Sequence, residues 1–277
     1  MKLLNGAELA AYIKERQAKQ ARALRQAHGI TPKLAIILTT DSPVSKAYIR
    51  KKKQYGTDIG VDVDLHEITQ PETRPLLERL NQDDGVHGII VQLPLADIDQ
   101  TDEIVNLVSP DKDVDGLGRT AKFDPATPLA ILWLLSGYNV ELAGRHVLLV
   151  GHGRLVGAPL EKLLLASGVK PEVADKYTKD LEAEALKADV IITATGKHGV
   201  ISSDMVKEGA VVVDAGVASE GGKLKGDLAP DVYDREDLTL TPRKGGVGPL
   251  TVCALFDNVI RSARRVAEKQ RQPARPY

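Results

Sequence analysis

The stretch from Arg145 to Pro159 reads RHVLLVGHGRLVGAP and joins an apolar run to three glycines. The run is typical of a buried strand, and the residues after the glycines have the pattern of a helix. Such a turn lets the backbone approach a pyrophosphate, and the helix N-terminus offers free N–H groups. Gly151, Gly153 and Gly157 follow GxGxxxG rather than GxGxxG, and glycines also serve tight turns that bind nothing. The stretch predicts a dinucleotide-binding turn, with a purely structural turn as the alternative.

The next predicted strand, PEVAD, ends at Asp175. A carboxylate there can accept hydrogen bonds from the ribose hydroxyls of NAD, and it would repel the 2′-phosphate of NADP. Lys176 beside it would offset part of that repulsion, and an ordinary surface acid is the alternative. The later turns ATGKHG (194–199) and DAGVAS (214–219) end further strands. They lie at the carboxyl edge, where an open parallel sheet binds ligands.

Predicted strands alternate with predicted helices on both sides of this stretch. LAIILT (34–39), VDVDLHEI (61–68) and GIIVQLP (88–94) form one series, and RHVLLV, PEVAD, DVIITAT and AVVVDAG form the second. Alternation of this kind predicts an α/β protein with parallel sheets covered by helices. We expect three parts: an amino-terminal domain over 1–126, a Rossmann-type domain over 127–249, and a C-terminal helix over 250–277 that returns to the first domain.

Length and composition limit the class of protein. A chain of 277 residues suits two domains, and a net charge of −1 with a pI near 6.6 argues against nucleic acid as the main partner. Cys253 is the one cysteine, so no intramolecular disulfide can form, and no metal-ligand cluster stands out. We expect a cytoplasmic protein with neither signal peptide nor membrane span.

Five cations stand among eight residues in KAYIRKKK (46–53). In a helix, Tyr48 and Lys52 share one face, while Lys51 and Lys53 point about 100° to either side. Lys52 is therefore separable from its cationic neighbours, although a solvated basic face is the plainer interpretation of the pattern. A lysine that exchanges protons in catalysis needs its pKa brought down toward neutrality, which desolvation and nearby positive charge both favour.

Several stretches together resemble the bifunctional methylenetetrahydrofolate dehydrogenase/methenyltetrahydrofolate cyclohydrolases of the FolD type. SKAYIRKKK is similar to that family's Ser-x-x-Tyr-x-x-x-Lys element, and GIIVQLPL to its Val-Gln-Leu-Pro strand end. PDKDVDG, FDPATP and GGVGPLT resemble its Lys-Asp-Val-Asp-Gly loop, its Pro-Cys-Thr-Pro element and its Gly-Gly-Val-Gly-Pro-Met-Thr loop. These elements follow the family's order over nearly the whole chain.

The resemblance implies two activities, a cofactor, a set of site residues and a homodimer. A hydride passes from 5,10-methylenetetrahydrofolate to NAD(P), and water then opens the methenyl product to 10-formyltetrahydrofolate, with the folate in a cleft between the domains. Lys52 is the implied general acid/base, which Gln92 keeps poised, Tyr48 packs near the folate, and Asp115 grips the pterin. The candidate folate-binding residues are Tyr48, Gln92, Leu93, Pro94, Asp115, Gly248, Pro249 and Thr251. The candidate cofactor-binding residues are Gly151, His152, Gly153, Val156, Asp175, Thr195, Gly196, Val217 and Thr251.

The chain departs from the family pattern at the dinucleotide turn. His152 and Gly153 stand where the family usually has the Arg and Ser that contact the 2′-phosphate of NADP, and Asp175-Lys176 stands where its next strand usually ends in His-Ser. Both changes point in the same direction, so we expect a preference for NAD or a much reduced selectivity for NADP.

Other departures lie near the expected folate site. The segment LGRTAKFD (117–124) is shorter than usual, Ala126 and Ala130 replace a Cys and a Gly, and Arg243-Lys244 replaces apolar residues. We expect a more open site and an altered ratio of the two activities. Two alternatives stay open at this stage: another two-domain dehydrogenase, such as a shikimate or amino-acid dehydrogenase, and a nucleotide-binding family member without catalysis.

Overall fold

The computed structural model describes residues 1–220 and 223–271. Its strands are β1 (Lys2–Leu3), β2 (Lys33–Leu38), β3 (Asp62–Glu67), β4 (Gly88–Val91), β5 (Val147–Val150), β6 (Glu172–Ala174), β7 (Val190–Thr193), β8 (Val211–Asp214), β9 (Ala218–Glu220), β10 (Lys223–Lys225) and β11 (Thr239–Leu240). Its helices are α1 (Gly6–His28), α2 (Pro43–Ile59), α3 (Thr73–Gln82), α4 (Thr101–Val105), α5 (Ala126–Gly137), α6 (Gly157–Ala166), α7 (Leu181–Lys187) and α8 (Val247–Arg271).

Contacts between residues divide the chain into two compact units. One comprises Met1–Ala11 with Thr127–Thr251 and is called the six-stranded unit, after its sheet. The other comprises Tyr12–Ala126 with Val252–Tyr277 and is called the three-stranded unit. The division places the first eleven residues with the later unit, because β1 pairs with β11. The domain bounds 1–126, 127–249 and 250–277, and a cleft between the domains, remain predictions.

The six-stranded unit is built on a parallel sheet in the order β1-β11-β8-β7-β5-β6. Strands β5 and β7 are buried along their whole length, since helices cover both faces of such a sheet. Leu148, Ile191, Val212 and Leu240 belong to one core cluster of this unit. A two-stranded antiparallel hairpin, β9 with β10, is added to the unit.

The three-stranded unit is built on a parallel sheet in the order β3-β2-β4. Strand β2 lies in the centre and is buried from Leu34 to Leu38, while the outer strand β3 is largely accessible. Ile37, Leu77 and Ile89 belong to a core cluster of this unit. The predicted α/β class with parallel sheets is confirmed in both units.

Helix α8 begins at Val247, three residues before Leu250, the start that the sequence pattern predicts. Gly248, Pro249 and Thr251 therefore lie in its first turn rather than in a loop. Proline is tolerated there because the first turn of a helix has no intrahelical acceptors for its N–H groups. Among the residues described, no helix combines the length and the apolar character that a membrane crossing requires.

Candidate active site

Lys52 lies near the middle of α2, which has well-defined ends. The Ser42 hydroxyl accepts a hydrogen bond from the backbone N–H of Ser45 at 3.3 Å, and Pro43 opens the helix. Gly60 ends it with a φ of 76°, a conformation that glycine adopts without strain. The helix therefore holds the lysine backbone in one place, as an element that positions a catalytic group must.

The Lys52 amine points to the carboxyl edge of the three-stranded sheet. Its Nζ donates a hydrogen bond to Gln92 Oε1 at 3.0 Å. Gln92 directly follows β4, and its backbone N–H donates to Ile37 O at 2.9 Å, so the β2–β4 ladder fixes its backbone. The Gln92 Nε2 in turn donates to Leu93 O at 3.1 Å. The sequence-predicted pair of Lys52 and Gln92 is thus brought together by a helix and a strand end.

Asp115 is the third member of this cluster, and its charge acts on Lys52. Burial lowers the pKa of the Lys52 amine from its ordinary value, and the Asp115 carboxylate opposes that shift. Burial likewise raises the pKa of Asp115, against the opposing charge of Lys52. An amine with a lowered pKa is neutral over a larger part of the pH range, which is what proton uptake from water requires.

Two side chains that the motif analysis did not single out hold the Asp115 loop. Buried Asp113 accepts hydrogen bonds from the backbone N–H groups of Gly116, at 2.9 Å, and Gly118, at 2.7 Å. Asn258 of α8, also buried, donates through Nδ2 to the carbonyl oxygens of Val114 and Asp124, both at 2.9 Å. The loop is therefore tied at both of its ends, with Asp115 between the ties.

Tyr48 lies one turn before Lys52, and burial raises the pKa of its hydroxyl. The Lys51 amine lies 5.8 Å from the centre of the Tyr48 ring, so one of the cationic neighbours covers that tyrosine. Lys46 pairs with Asp41. The side chains of Arg50, Lys51 and Lys53 are exposed to solvent, whereas Lys52 is partly buried. This agrees with a solvated basic surface around Lys52.

The remaining folate-binding candidates lie in two places. Leu93 and Pro94 follow Gln92 directly and are joined by a cis peptide bond. Thr251, in the first turn of α8, lies within hydrogen-bonding distance of Thr127 Oγ1, at 3.4 Å. Gly248 and Pro249 precede it in that turn. Their role in binding folate remains a prediction.

The glycine turn between β5 and α6 has the geometry that a dinucleotide needs. Gly151 has a φ of 99°, and a Cβ there would come within 2.7 Å of Ala194 O. A Cβ on Gly157 would overlap the Gly151 carbonyl oxygen, whereas a Cβ on Gly153 would meet nothing within 4 Å. Two glycines thus let the backbone close, and the third leaves open space beside the helix N-terminus. The turn fits the pyrophosphate of NAD(P).

The other cofactor candidates surround this turn. Val156 is the residue before α6, and Asp175 follows β6, where its Oδ1 accepts from the backbone N–H of Tyr177 at 2.8 Å. The backbone N–H of Thr195, after β7, donates to buried Asp227 Oδ2 at 2.6 Å. Gly196 beside it has a φ of 67°, and Val217 is 56% exposed after β8. Asp227, 32 residues from Thr195, carried no sequence signal of this role.

Two departures near the expected folate site have defined surroundings. Arg243 lies with its guanidinium 4.2 Å from the centre of the Tyr233 ring and donates to Pro230 O at 2.9 Å. Ala126 and Ala130 are buried. The two alanines are therefore absorbed by the local packing, whereas Arg243 is exposed and lies against the Tyr233 ring. How open the folate site is remains a prediction.

Parallel α/β units with a glycine turn at a helix N-terminus are typical of dinucleotide-dependent enzymes. The lysine–glutamine–aspartate cluster at a strand end has the residue types of a proton-transfer site. Residues 4–115 match the model of the tetrahydrofolate dehydrogenase/cyclohydrolase catalytic domain, and residues 125–267 match the model of its NAD(P)-binding domain. The chain belongs to the tetrahydrofolate dehydrogenase/cyclohydrolase family.

Individual relatives agree over nearly the full chain. The bifunctional protein FolD of Campylobacter jejuni is 39% identical over an alignment of 279 positions, and the alignment covers 95% of this chain and 99% of that one. The crystal structure of bifunctional FolD from Campylobacter jejuni superposes with a TM-score of 0.90 at 37% identity, over 96% of this chain and 99% of that one. FolD of Trypanosoma brucei, complexed with NADP and inhibitor, superposes with a TM-score of 0.89 at 28% identity, over 98% of each chain.

The chain is therefore an NAD(P)-dependent methylenetetrahydrofolate dehydrogenase and methenyltetrahydrofolate cyclohydrolase. Family membership across both domains decides against another two-domain dehydrogenase.

Proposed function

We propose that Lys52 is the general acid/base of methenyltetrahydrofolate hydrolysis and that this enzyme prefers NAD. The observation that carries the first part is the Lys52 amine itself: its pKa is lowered by burial, Gln92 accepts its hydrogen bond, and Asp115 opposes the shift. An exposed lysine would be protonated at neutral pH and unable to take a proton from water.

In the hydrolysis, the neutral Lys52 amine takes a proton from water as the water oxygen bonds to the methenyl carbon. The resulting ammonium returns a proton to the folate nitrogen that leaves when the five-membered ring opens. The hydroxyl proton of the tetrahedral intermediate is released to solvent as the formyl C=O forms, which leaves neutral 10-formyltetrahydrofolate. Gln92 orients the amine through its side-chain carbonyl in the neutral and the protonated state alike, because each state retains an N–H donor. Asp115 stabilises the ammonium between the two proton transfers.

In the dehydrogenase step, the dinucleotide supplies the hydride acceptor when it is bound. The chain contributes binding and orientation: Gly151 and Gly153 receive the pyrophosphate, and the turn around Thr195 faces the same carboxyl edge of the sheet. A cationic methenyl product disfavours an ammonium nearby, so the first reaction prepares the neutral amine that the second reaction needs.

The preference for NAD is supported by Asp175 and by its neighbour Lys176. The Lys176 amine lies 4.9 Å from the centre of the Tyr177 ring, so this cation is drawn to an aromatic face. Asp175 retains a carboxylate oxygen, Oδ2, for ribose hydroxyls, since it is Oδ1 that accepts from the Tyr177 backbone. Steady-state kinetics with each dinucleotide separately test the preference, and a tenfold advantage for NADP would defeat it.

The role of Lys52 is tested with Lys52→Met, which preserves length and removes the amine. We expect methenyltetrahydrofolate hydrolysis to vanish while binding of NAD, measured by calorimetry, stays intact. Lys53→Met, an exposed neighbour, is the matched control and should hydrolyse at the normal rate. A full hydrolysis rate in Lys52→Met would refute the mechanism.

A homodimer and a cytoplasmic location complete the proposal. The dimer rests on the family resemblance alone, and the location is supported by the single, buried Cys253, which suits a reducing compartment. Light scattering on the purified protein decides the oligomeric state. A measured mass equal to that of one chain, across the concentration range used in the kinetic assays, would contradict the proposed dimer.

A further inference from the structure

Glu161, in α6, reaches back to the glycine turn. Its Oε2 lies 2.7 Å from His152 Nε2, and the two side chains are only partly exposed, at 40% for His152 and 32% for Glu161. His152 directly follows Gly151, the first glycine of the turn, and its ring nitrogen Nε2 makes this contact. The contact places a carboxylate against the side chain of His152, between Gly151 and Gly153 of the turn.

The topology puts this pair next to Asp175. Strands β5 and β6 are neighbours, Val150 pairs with Ala174, and Gly151 N donates to Ala174 O at 2.7 Å. His152 and Asp175 each follow closely on that paired position, one on each strand. This is the edge at which a dinucleotide-binding sheet distinguishes a free ribose 2′-hydroxyl from a 2′-phosphate.

The charges at this edge are unfavourable to a phosphate. Asp175 and Glu161 are both carboxylates. Three basic side chains here already have partners: His152 contacts Glu161, Lys176 lies over Tyr177, and Arg154 of the turn is also engaged. A 2′-phosphate would have to displace Glu161 from His152 and then remain close to the displaced carboxylate. The ribose 2′-hydroxyl of NAD neither has to displace Glu161 nor is repelled by its carboxylate.

We propose that Glu161 is a second acidic determinant of dinucleotide choice, which withholds His152 from a 2′-phosphate and repels that phosphate directly. This inference rests on the proposed preference for NAD and names a residue that creates it together with Asp175. The backbone of the turn does not need Glu161, because the glycine contacts close it. Glu161 can therefore be changed without removing the site.

The test is direct binding of NAD⁺ and of NADP⁺, measured by calorimetry without folate, for the wild type and Glu161→Gln. We expect NADP⁺ to bind about three- to fivefold more tightly in the variant and NAD⁺ to be unchanged, as suits a partly exposed charge pair. Glu182→Gln is the matched control, since it removes the same charge from an exposed position on α7 of the same unit. It should change neither constant.

The double variant His152→Ala with Glu161→Gln separates the two parts of the effect. With no imidazole to release, Glu161→Gln should give a smaller gain in NADP⁺ affinity in the His152→Ala background than alone. An equal gain would overturn the part of the inference that acts through His152. An unchanged ratio of the two affinities in Glu161→Gln would overturn the whole of it.

This outcome is separable from the proposed function. If the wild type binds NADP⁺ more tightly than NAD⁺, the preference for NAD fails, yet the ratio in Glu161→Gln still decides whether Glu161 acts on the 2′-phosphate. Hydrolysis of methenyltetrahydrofolate, which uses no dinucleotide, reports on folding and should be equal in the wild type and in the Glu182→Gln control.

Discussion

Lys52 experiences two opposing influences, and their balance decides how much of the amine is neutral. Burial disfavours the ammonium, while the Asp115 carboxylate favours it. Without Asp115 the Lys52 amine would be neutral at a lower pH, but it would be a weaker base, and its ammonium would be less stabilised between the two proton transfers. Gln92, which accepts from the amine in either state, orients it without adding a charge.

Asp115→Asn should move the rising limb of the cyclohydrolase pH profile to lower pH. In the proposed mechanism, hydrolysis needs the neutral Lys52 amine, so the rate rises with pH through the pKa of Lys52. The Asp115 charge raises that pKa. Loss of the charge lowers the pKa further, and the amine becomes neutral at a lower pH. The profile of kcat, at saturating methenyltetrahydrofolate, measures the shift apart from any weaker folate binding.

Asp111→Asn is the control for this shift. Asp111 lies in the same motif and pairs with Lys122 at 2.9 Å, so its charge is already matched by another cation. Loss of the Asp111 charge should leave the rising limb of the cyclohydrolase pH profile unchanged. An upward shift in Asp115→Asn, or the same shift in both variants, would contradict the assigned coupling.

The sequence predicted the residues of this cluster better than their supports. Lys52, Gln92 and Asp115 stand in short motifs, so their types and spacing are visible in one dimension. Asn258 binds backbone groups 134 to 144 residues away in the sequence. Asp227 binds backbone groups 30 to 32 residues away. Glu161 contacts a side chain nine residues away. Their roles depend on three-dimensional neighbours, which neither periodicity nor a motif of adjacent residues encodes.

At the scale of the element, the predicted strand–turn–helix is confirmed, with β5 ending at Val150 and α6 beginning at Gly157. Longer elements were predictable because apolar runs of four to six residues mark buried strands. Strands β1 and β11 have two residues each, too few to show a period, and they join the sheet through pairing alone. The early start of α8 was hidden by glycine and proline, which usually indicate a loop.

Gly157→Ala should disrupt the turn, whereas Gly153→Ala should be tolerated. A Cβ at residue 157 would overlap the Gly151 carbonyl, and backbone cannot yield as a flexible side chain does. We expect Gly157→Ala to lower the free energy of unfolding by about 2–4 kcal/mol and to weaken NAD binding. Gly153→Ala should stay within about 0.5 kcal/mol of the wild type, because its Cβ would meet nothing within 4 Å.

Urea unfolding and calorimetric binding of NAD measure both effects. The two glycines occupy the same turn and undergo the same substitution, so each variant serves as the control for the other. Equal stability of the two variants would show that the close approach of residues 151 and 157 is not what fixes the turn.

At the scale of the whole molecule, the two units carry different parts of the chemistry. The amine cluster of Lys52, Gln92 and Asp115 lies entirely in the three-stranded unit, and the glycine turn with Asp175 and Thr195 lies entirely in the six-stranded unit. In the proposed mechanism, hydrolysis of the methenyl group needs the first cluster alone, because no hydride leaves the substrate. Hydride removal needs a dinucleotide as well. The two activities should therefore be separable by substitutions in one unit or the other.

Gly153→Glu should separate the two activities by blocking the binding of the dinucleotide. The open space in front of residue 153 admits a side chain, so the variant should fold, but its carboxylate would occupy and repel the place of the pyrophosphate. We expect dehydrogenase activity and NAD binding to fall at least about tenfold, a loss of about 1.4 kcal/mol in binding, while methenyltetrahydrofolate hydrolysis continues at the wild-type rate. Gly153→Gln, of the same size without the charge, should retain more of the binding than Gly153→Glu. A parallel loss of both activities in Gly153→Glu, with the unfolding midpoint unchanged, would show that the hydrolytic cluster depends on an intact nucleotide turn.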